Sequence, residues 1–177
     1  LLLYVNVTKD RFSFRDFFFP YLTFLIFNLF TTYWINYAHF GGAVFAIICN
    51  SFFMALVFYF YFRIKCSMKW KHPILLLPVL WIGFEYLHLN WDLSWPWLTL
   101  GNVFASNPNW VQWYSYTGVL GGTLWILVVN LLIVEFVNRK NMRLVFLIIF
   151  VLLTPLLLPK YIRHMQINFL EHDEDKI

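Results

Sequence analysis

The sequence predicts an all-α protein, a multi-pass transmembrane helix bundle with about five spans in 177 residues. Three observations predict it. Charged residues make up only 12% of the chain, whereas soluble domains carry roughly 25%. Aromatic residues reach 23%, with 21 Phe and 9 Trp, which suits lipid-facing helices with indole belts at the interfaces. Several apolar runs approach the roughly 20 residues that a helix needs to cross a hydrocarbon core about 30 Å thick.

Residues 1–16 read as a basic cytoplasmic flank carrying Lys9, Arg11 and Arg15. The chain opens LLLYVNV without an initiator Met and is read as a fragment; these residues lack the basic start of a cleavable signal peptide. Spans are expected at 17–38, 41–63, 74–89, 118–136 and 144–158, the third and fifth needing their flanks to complete a crossing. Gly, Pro and Asn inside these runs are tolerated because neighbouring helices can satisfy freed backbone groups.

Lys and Arg orient the set. Arg63, Lys65, Lys69 and Lys71 follow the second run, and Arg139, Lys140 and Arg143 separate the last two. The alternate connections, 39–42 and 90–117, contain neither Lys nor Arg. One topology satisfies every loop: the N-terminal flank inside, and the Trp-rich loop and C-terminal tail outside. The polar tail at 160–177, acidic at Glu171, Asp173, Glu174 and Asp175, reads as an extracytoplasmic linker.

The net charge of +4 is no nucleic-acid footprint, because its basic residues sit in short clusters between apolar runs. Cys49 lies in an apolar run and Cys66 in a basic loop, so no disulfide is expected. Neither CxxC nor Cys/His ligand spacing is present, so no metal is expected. No nucleophile–base triad spacing and no Gly-rich phosphate loop occur either.

The residues that remain concentrate at 84–101, FEYLHLNWDLSWPWLTLG. Glu85 sits inside an apolar helix, where a charge costs about 2.5–3.5 kcal/mol and normally faces protein or water. His88 follows three residues later and Trp81 precedes by four, on one helical stripe. Two readings stand: a polar site opening toward the outer loop, or an interfacial anchor between loop and helix. Trp95-Pro96-Trp97 is either a lipid-facing platform lining a substrate cleft or an ordinary aromatic belt. Together these residue types point to a membrane enzyme working on lipid at the outer face. Gly118 and Gly122 form GxxxG, read as packing within the molecule. Asn28, Thr31 and Thr32 form a polar stripe read as hydrogen-bonding a neighbouring helix, and Glu135 reads as a surface ion pair with Arg139.

At this point the residues resemble a known family. Glu85-Tyr86-Leu87-His88, Trp95-Pro96-Trp97-Leu98 and Gly101 are similar to the membrane domain of apolipoprotein N-acyltransferase. The likeness continues through Val111-Gln112-Trp113, through 118–125 (GVLGGTLW) and to Asn130; upstream, 28–34 (NLFTTYW) and 50–56 fit. It covers roughly 17–159, and its specificity lies in the order and spacing of individually weak motifs.

The resemblance implies a bacterial cytoplasmic (inner) membrane protein whose bundle is fused to an extracytoplasmic nitrilase-like domain with a Glu-Lys-Cys triad. Such enzymes move an acyl chain from a phospholipid donor, through a thioester, to the α-amino group of a diacylglyceryl-cysteine lipoprotein acceptor. No cofactor is implied. Trp95, Pro96, Trp97, Gly101, Glu85 and His88 would form the lipid-facing substrate mouth. The resemblance also implies spans upstream of Leu1 and a catalytic domain beyond Ile177, so neither Cys49 nor Cys66 is the expected nucleophile and no catalytic residue is expected in this chain. His88 stands where the family is expected to carry Arg. A small transporter or channel and a non-catalytic scaffold remain as alternatives; the first predicts internal repeats, which the sequence does not show.

Overall fold

A computed structural model of the chain describes residues 13–68, 73–92, 94–155 and 157. The expectations for residues 1–12, for Lys69 and Lys71 and for the tail at 160–177 lie outside them. Among the described residues the architecture is all-α. Helix α1 spans Arg15–Thr32 and continues as a 3-10 turn at Tyr33–Tyr37. Helix α2 spans Phe40–Ser67, and α3 spans Leu76–Leu89 after a 3-10 turn at Pro73–Leu75. Three further 3-10 turns, Pro96–Leu98, Leu100–Phe104 and Pro108–Trp110, lead to α4 at Tyr114–Arg139 and α5 at Met142–Pro155.

Three segments are long and apolar enough to cross a membrane: Arg15–Tyr37, Phe40–Ser67 and Tyr114–Arg139. Of the five expected spans, these three are long enough among the described residues. Helix α3 has 14 residues, a rise of about 21 Å against a core of about 30 Å, and α5 is as short among the described residues. Pro73 precedes α3, and Pro155 lies within the described part of α5. The three long segments expose large apolar side chains, among them Phe30, Phe45 and Leu124, a surface that suits lipid and would be a liability in water.

The chain divides between Trp95 and Pro96 into two compact units. In the first, an amide pair joins α1 to α2. Asn50 Nδ2 donates to Asn28 Oδ1 at 2.7 Å, while Asn28 Nδ2 donates to the Phe24 carbonyl at 2.8 Å and approaches Met54 Sδ at 3.5 Å. Asn28 is 1% exposed, so this pair forms in an apolar environment where each polar atom needs a partner. One helical turn away, the Phe24 ring lies 5.6 Å from Phe58 and 5.5 Å from Trp81, bringing α1, α2 and α3 onto one aromatic cluster. Helix α2 starts at His39, whose Nδ1 accepts from Gly42 N at 2.9 Å and satisfies one of the orphan donors of its first turn.

In the second unit, α4 is interrupted at Gly118, with φ 66° and ψ −176°. That backbone conformation is open to glycine and strained for L side chains. The final turn ends on Lys140 in the left-handed region, its N–H donating to the Phe136 carbonyl at 2.7 Å. Glu135 and Arg139 form the expected ion pair on an exposed face. Between α4 and α5, Trp125 Nε1 donates to the Val151 carbonyl at 2.7 Å. Pro155, four residues after Val151, has no N–H to offer, so the indole satisfies the carbonyl that the proline leaves open.

Candidate functional site

Helix α3 presents one buried stripe. Trp81 and Glu85 are each 4% exposed, and Trp81 Nε1 donates to Glu85 Oε1 at 2.9 Å. The i, i+4 spacing puts the indole directly over the carboxylate. Trp81 is itself fixed by the Phe24 and Phe58 rings, so the aromatic cluster of the fold orients the group that holds the acid. Glu85 thereby sits in the interior with a neutral donor against it, which offsets part of the cost of placing a carboxylate there.

One turn further on, His88 is enclosed by rings. Its centroid lies 5.2 Å from Phe84 in a stacked arrangement, 5.2 Å from Trp91 and 6.2 Å from Phe53. Yet both ring nitrogens are buried and make no hydrogen bond, and the same holds for Trp95 Nε1. Buried polar atoms without partners cost about 1–3 kcal/mol each and occur at a few per hundred residues, so three around one feature require an explanation.

That feature is a cavity of about 330 Å³. Helix α2 supplies an apolar wall of Phe45, Ala46 and Phe53 together with Cys49 and the amide of Asn50. His88 comes from α3, and Asp92, Ser94 and Trp95 come from the loop that follows. Among the described residues, no Lys or Arg lines it. The loop leaves α3 through Asn90, whose side chain donates to the Tyr86 carbonyl at 2.7 Å and closes the helix end.

The residues singled out in the sequence separate into groups. Glu85, His88 and Trp95 belong to the first unit, with His88 and Trp95 lining the cavity and Glu85 held by Trp81. Pro96, Trp97 and Gly101 belong to the second unit. Trp97 is 62% exposed, and the Pro96 carbonyl accepts from Asn102 Nδ2 at 2.7 Å. Gly101 docks a 3-10 turn on α4: its N–H donates to Thr123 Oγ1 at 3.0 Å and its carbonyl accepts from Tyr114 OH at 2.9 Å. A Cβ at Gly101 would run into the Val119 carbonyl, and one at Gly122 into the Tyr114 hydroxyl. Gly118 is different: a Cβ there would meet nothing within 4 Å, and the glycine serves the break in α4.

Of the polar stripe on α1, Asn28 and Thr32 are buried, whereas Thr31 is exposed and donates only to the Phe27 carbonyl. Thr32 Oγ1 donates back to the Asn28 carbonyl, so Asn28 alone reaches across to α2. Reasoning from sequence missed the partners: Asn50 for Asn28, and Thr123 with Tyr114 for Gly101. A lone Asn within an apolar run was the available signal for the first. No signal marked Asp92 as a cavity residue. Among the described residues, no cluster of His, Cys, Asp and Glu has metal-binding geometry.

Comparison with known proteins bears on the chain as a whole. The family model described as apolipoprotein N-acyltransferase N-terminal domain matches residues 1–132. An apolipoprotein N-acyltransferase of Chlorobaculum tepidum is 31% identical over 123 residues, which cover 68% of this chain and 23% of that protein. The chain therefore spans under a quarter of the length of that curated relative. No solved structure matches. Since the family model covers well over half of the chain, taking in α1, α2, α3 and the loop that follows, the protein belongs to the apolipoprotein N-acyltransferase family, and residues 1–132 correspond to its N-terminal domain.

Proposed function

We propose that this chain is the membrane part of an enzyme that transfers a phospholipid acyl chain to the N-terminal diacylglyceryl-cysteine of lipoproteins, in the bacterial cytoplasmic membrane. The family match over residues 1–132 carries the reading, and the name of the Chlorobaculum tepidum relative supports it. In this reading the helices hold a catalytic domain at the outer membrane surface, with the C-terminal tail leading toward it. The distribution of Lys and Arg, absent from 39–42 and 90–117, supports that orientation.

The helices also form part of the lateral entry for two lipid substrates. Trp95, Pro96 and Trp97 shape its lipid-facing mouth, with the exposed Trp97 indole suited to headgroup depth and the Trp95 N–H turned inward. Glu85 and His88 brace that loop from α3, a role supported by the Trp81–Glu85 hydrogen bond and by the aromatic cage around His88. The test is acyl transfer from phospholipid to a diacylglyceryl lipopeptide by the full-length protein in membranes. Trp95→Ala and Trp97→Ala should each lower turnover while expression holds; unchanged turnover in both refutes the mouth.

A further inference from the structure

We propose that the cavity lined by His88, Asp92 and Trp95 seats the ester segment of a membrane lipid carrying no net negative charge, and that Asp92 sets this preference. The inference rests on the lipid-handling reading above and names the chemistry of one of its sites.

The hydrogen-bonding wall comes first. His88 is 9% exposed, and neither of its ring nitrogens has a partner; Trp95 Nε1 has none either. An indole only donates, and an uncharged imidazole donates from one nitrogen and accepts at the other. Two donors without acceptors on one wall fit the oxygens of an ester, and a nearby hydroxyl or water would complete the third.

The apolar wall identifies the source of the ester. Phe45 lines the cavity and is also 60% exposed, on the same helix as exposed Ile48 and Phe52. The cavity is thus continuous with a face of α2 that the bilayer covers, and an acyl chain lying along Phe45, Ala46 and Phe53 leaves it without crossing water. At about 330 Å³ the space is at the small end of ligand pockets, room for one ester segment rather than a two-chain lipid.

Charge sets the selectivity. Among the described residues Asp92 is the only charged side chain on the lining; it is exposed and makes no ion pair there. With no Lys or Arg beside it among the described residues, its carboxylate repels an anionic headgroup and tolerates an uncharged or ammonium-bearing one. One exposed charge of this kind discriminates by up to about fivefold.

Cys49 lines the cavity and serves as a native reporter; Cys66, at the far end of α2, serves as an internal control. The experiment follows alkylation of both thiols by N-ethylmaleimide in the detergent-solubilised full-length protein, read by peptide mass mapping. Phosphatidylcholine, diacylglycerol, phosphatidylglycerol and hexadecane are added in turn. The first two should slow alkylation of Cys49 and leave Cys66 unchanged. Phosphatidylglycerol should protect up to about fivefold less well, and Asp92→Asn should remove that difference. Equal protection by phosphatidylglycerol in the natural protein overturns the role of Asp92. Protection by hexadecane equal to that by the ester lipids overturns the ester seat, as does no protection by any of them. Because the readout is a thiol rather than acyl transfer, it stands or falls separately from the proposed activity.

Discussion

Replacing Gly101 by Ala adds one methyl group where α4 leaves no room. The new Cβ would collide with the Val119 carbonyl and sit 2.8 Å from Val119 Cγ2. Both positions belong to the helix, so relief requires the 3-10 turn Leu100–Phe104 to back away from α4. That movement stretches two hydrogen bonds at once, Gly101 N–H to Thr123 Oγ1 at 3.0 Å and Tyr114 OH to the Gly101 carbonyl at 2.9 Å. Overpacking costs about 1–3 kcal/mol and each hydrogen bond about 0.5–1.5 kcal/mol. The expected destabilisation is therefore about 2–6 kcal/mol. Gly83→Ala is the matched control, since a Cβ at Gly83 in α3 meets nothing within 4 Å. There the change should stabilise by about 0.5–1 kcal/mol, through the lower entropy of the unfolded chain. Denaturant unfolding of the two variants in mild detergent, followed by tryptophan fluorescence, decides the matter. A Gly101→Ala protein as stable as Gly83→Ala would refute the claim that a glycine-only contact docks this turn on the helix.

Three further outcomes follow from the same geometry. Asn50→Leu should cost about 1 kcal/mol by stranding Asn28 Oδ1 in the interior, and the Asn28→Leu/Asn50→Leu double variant should cost less than the two singles summed in the same unfolding assay. Gly118→Ala should cost about 1–2 kcal/mol despite the open space around it, because an L side chain is strained at φ 66°; no loss of stability would show that the break in α4 is dispensable. Trp125→Phe should destabilise by about 1 kcal/mol in the natural chain and by less in a Pro155→Ala background. There the restored N–H at 155 takes over the Val151 carbonyl, and equal costs in both backgrounds would show that the indole is not compensating for the proline.

The sequence by itself determined what depends on composition and local spacing. Low charge and long apolar runs made the chain an all-α membrane protein, and the i, i+4 relation of Trp81 to Glu85 was legible because residues so spaced share a helix face whatever surrounds it. The family resemblance was carried by motif order, which the match to residues 1–132 bears out. Hydropathy placed α3 and α5 within a few residues of their described bounds, but not whether they cross a bilayer, since Pro73–Leu89 and Met142–Pro155 are shorter than the three segments long enough to span. Tertiary structure alone decided which polar residue meets which. Asn28 and Asn50, and likewise Gly101 and Thr123, are each 22 residues apart in sequence, and nothing local specifies those partners. The same holds for the cavity. His88 and Asp92 come to line one space with Phe45 because α2 and α3 pack through Phe58 and Trp81, and packing of that kind depends on the shapes of distant side chains rather than on any period in the chain.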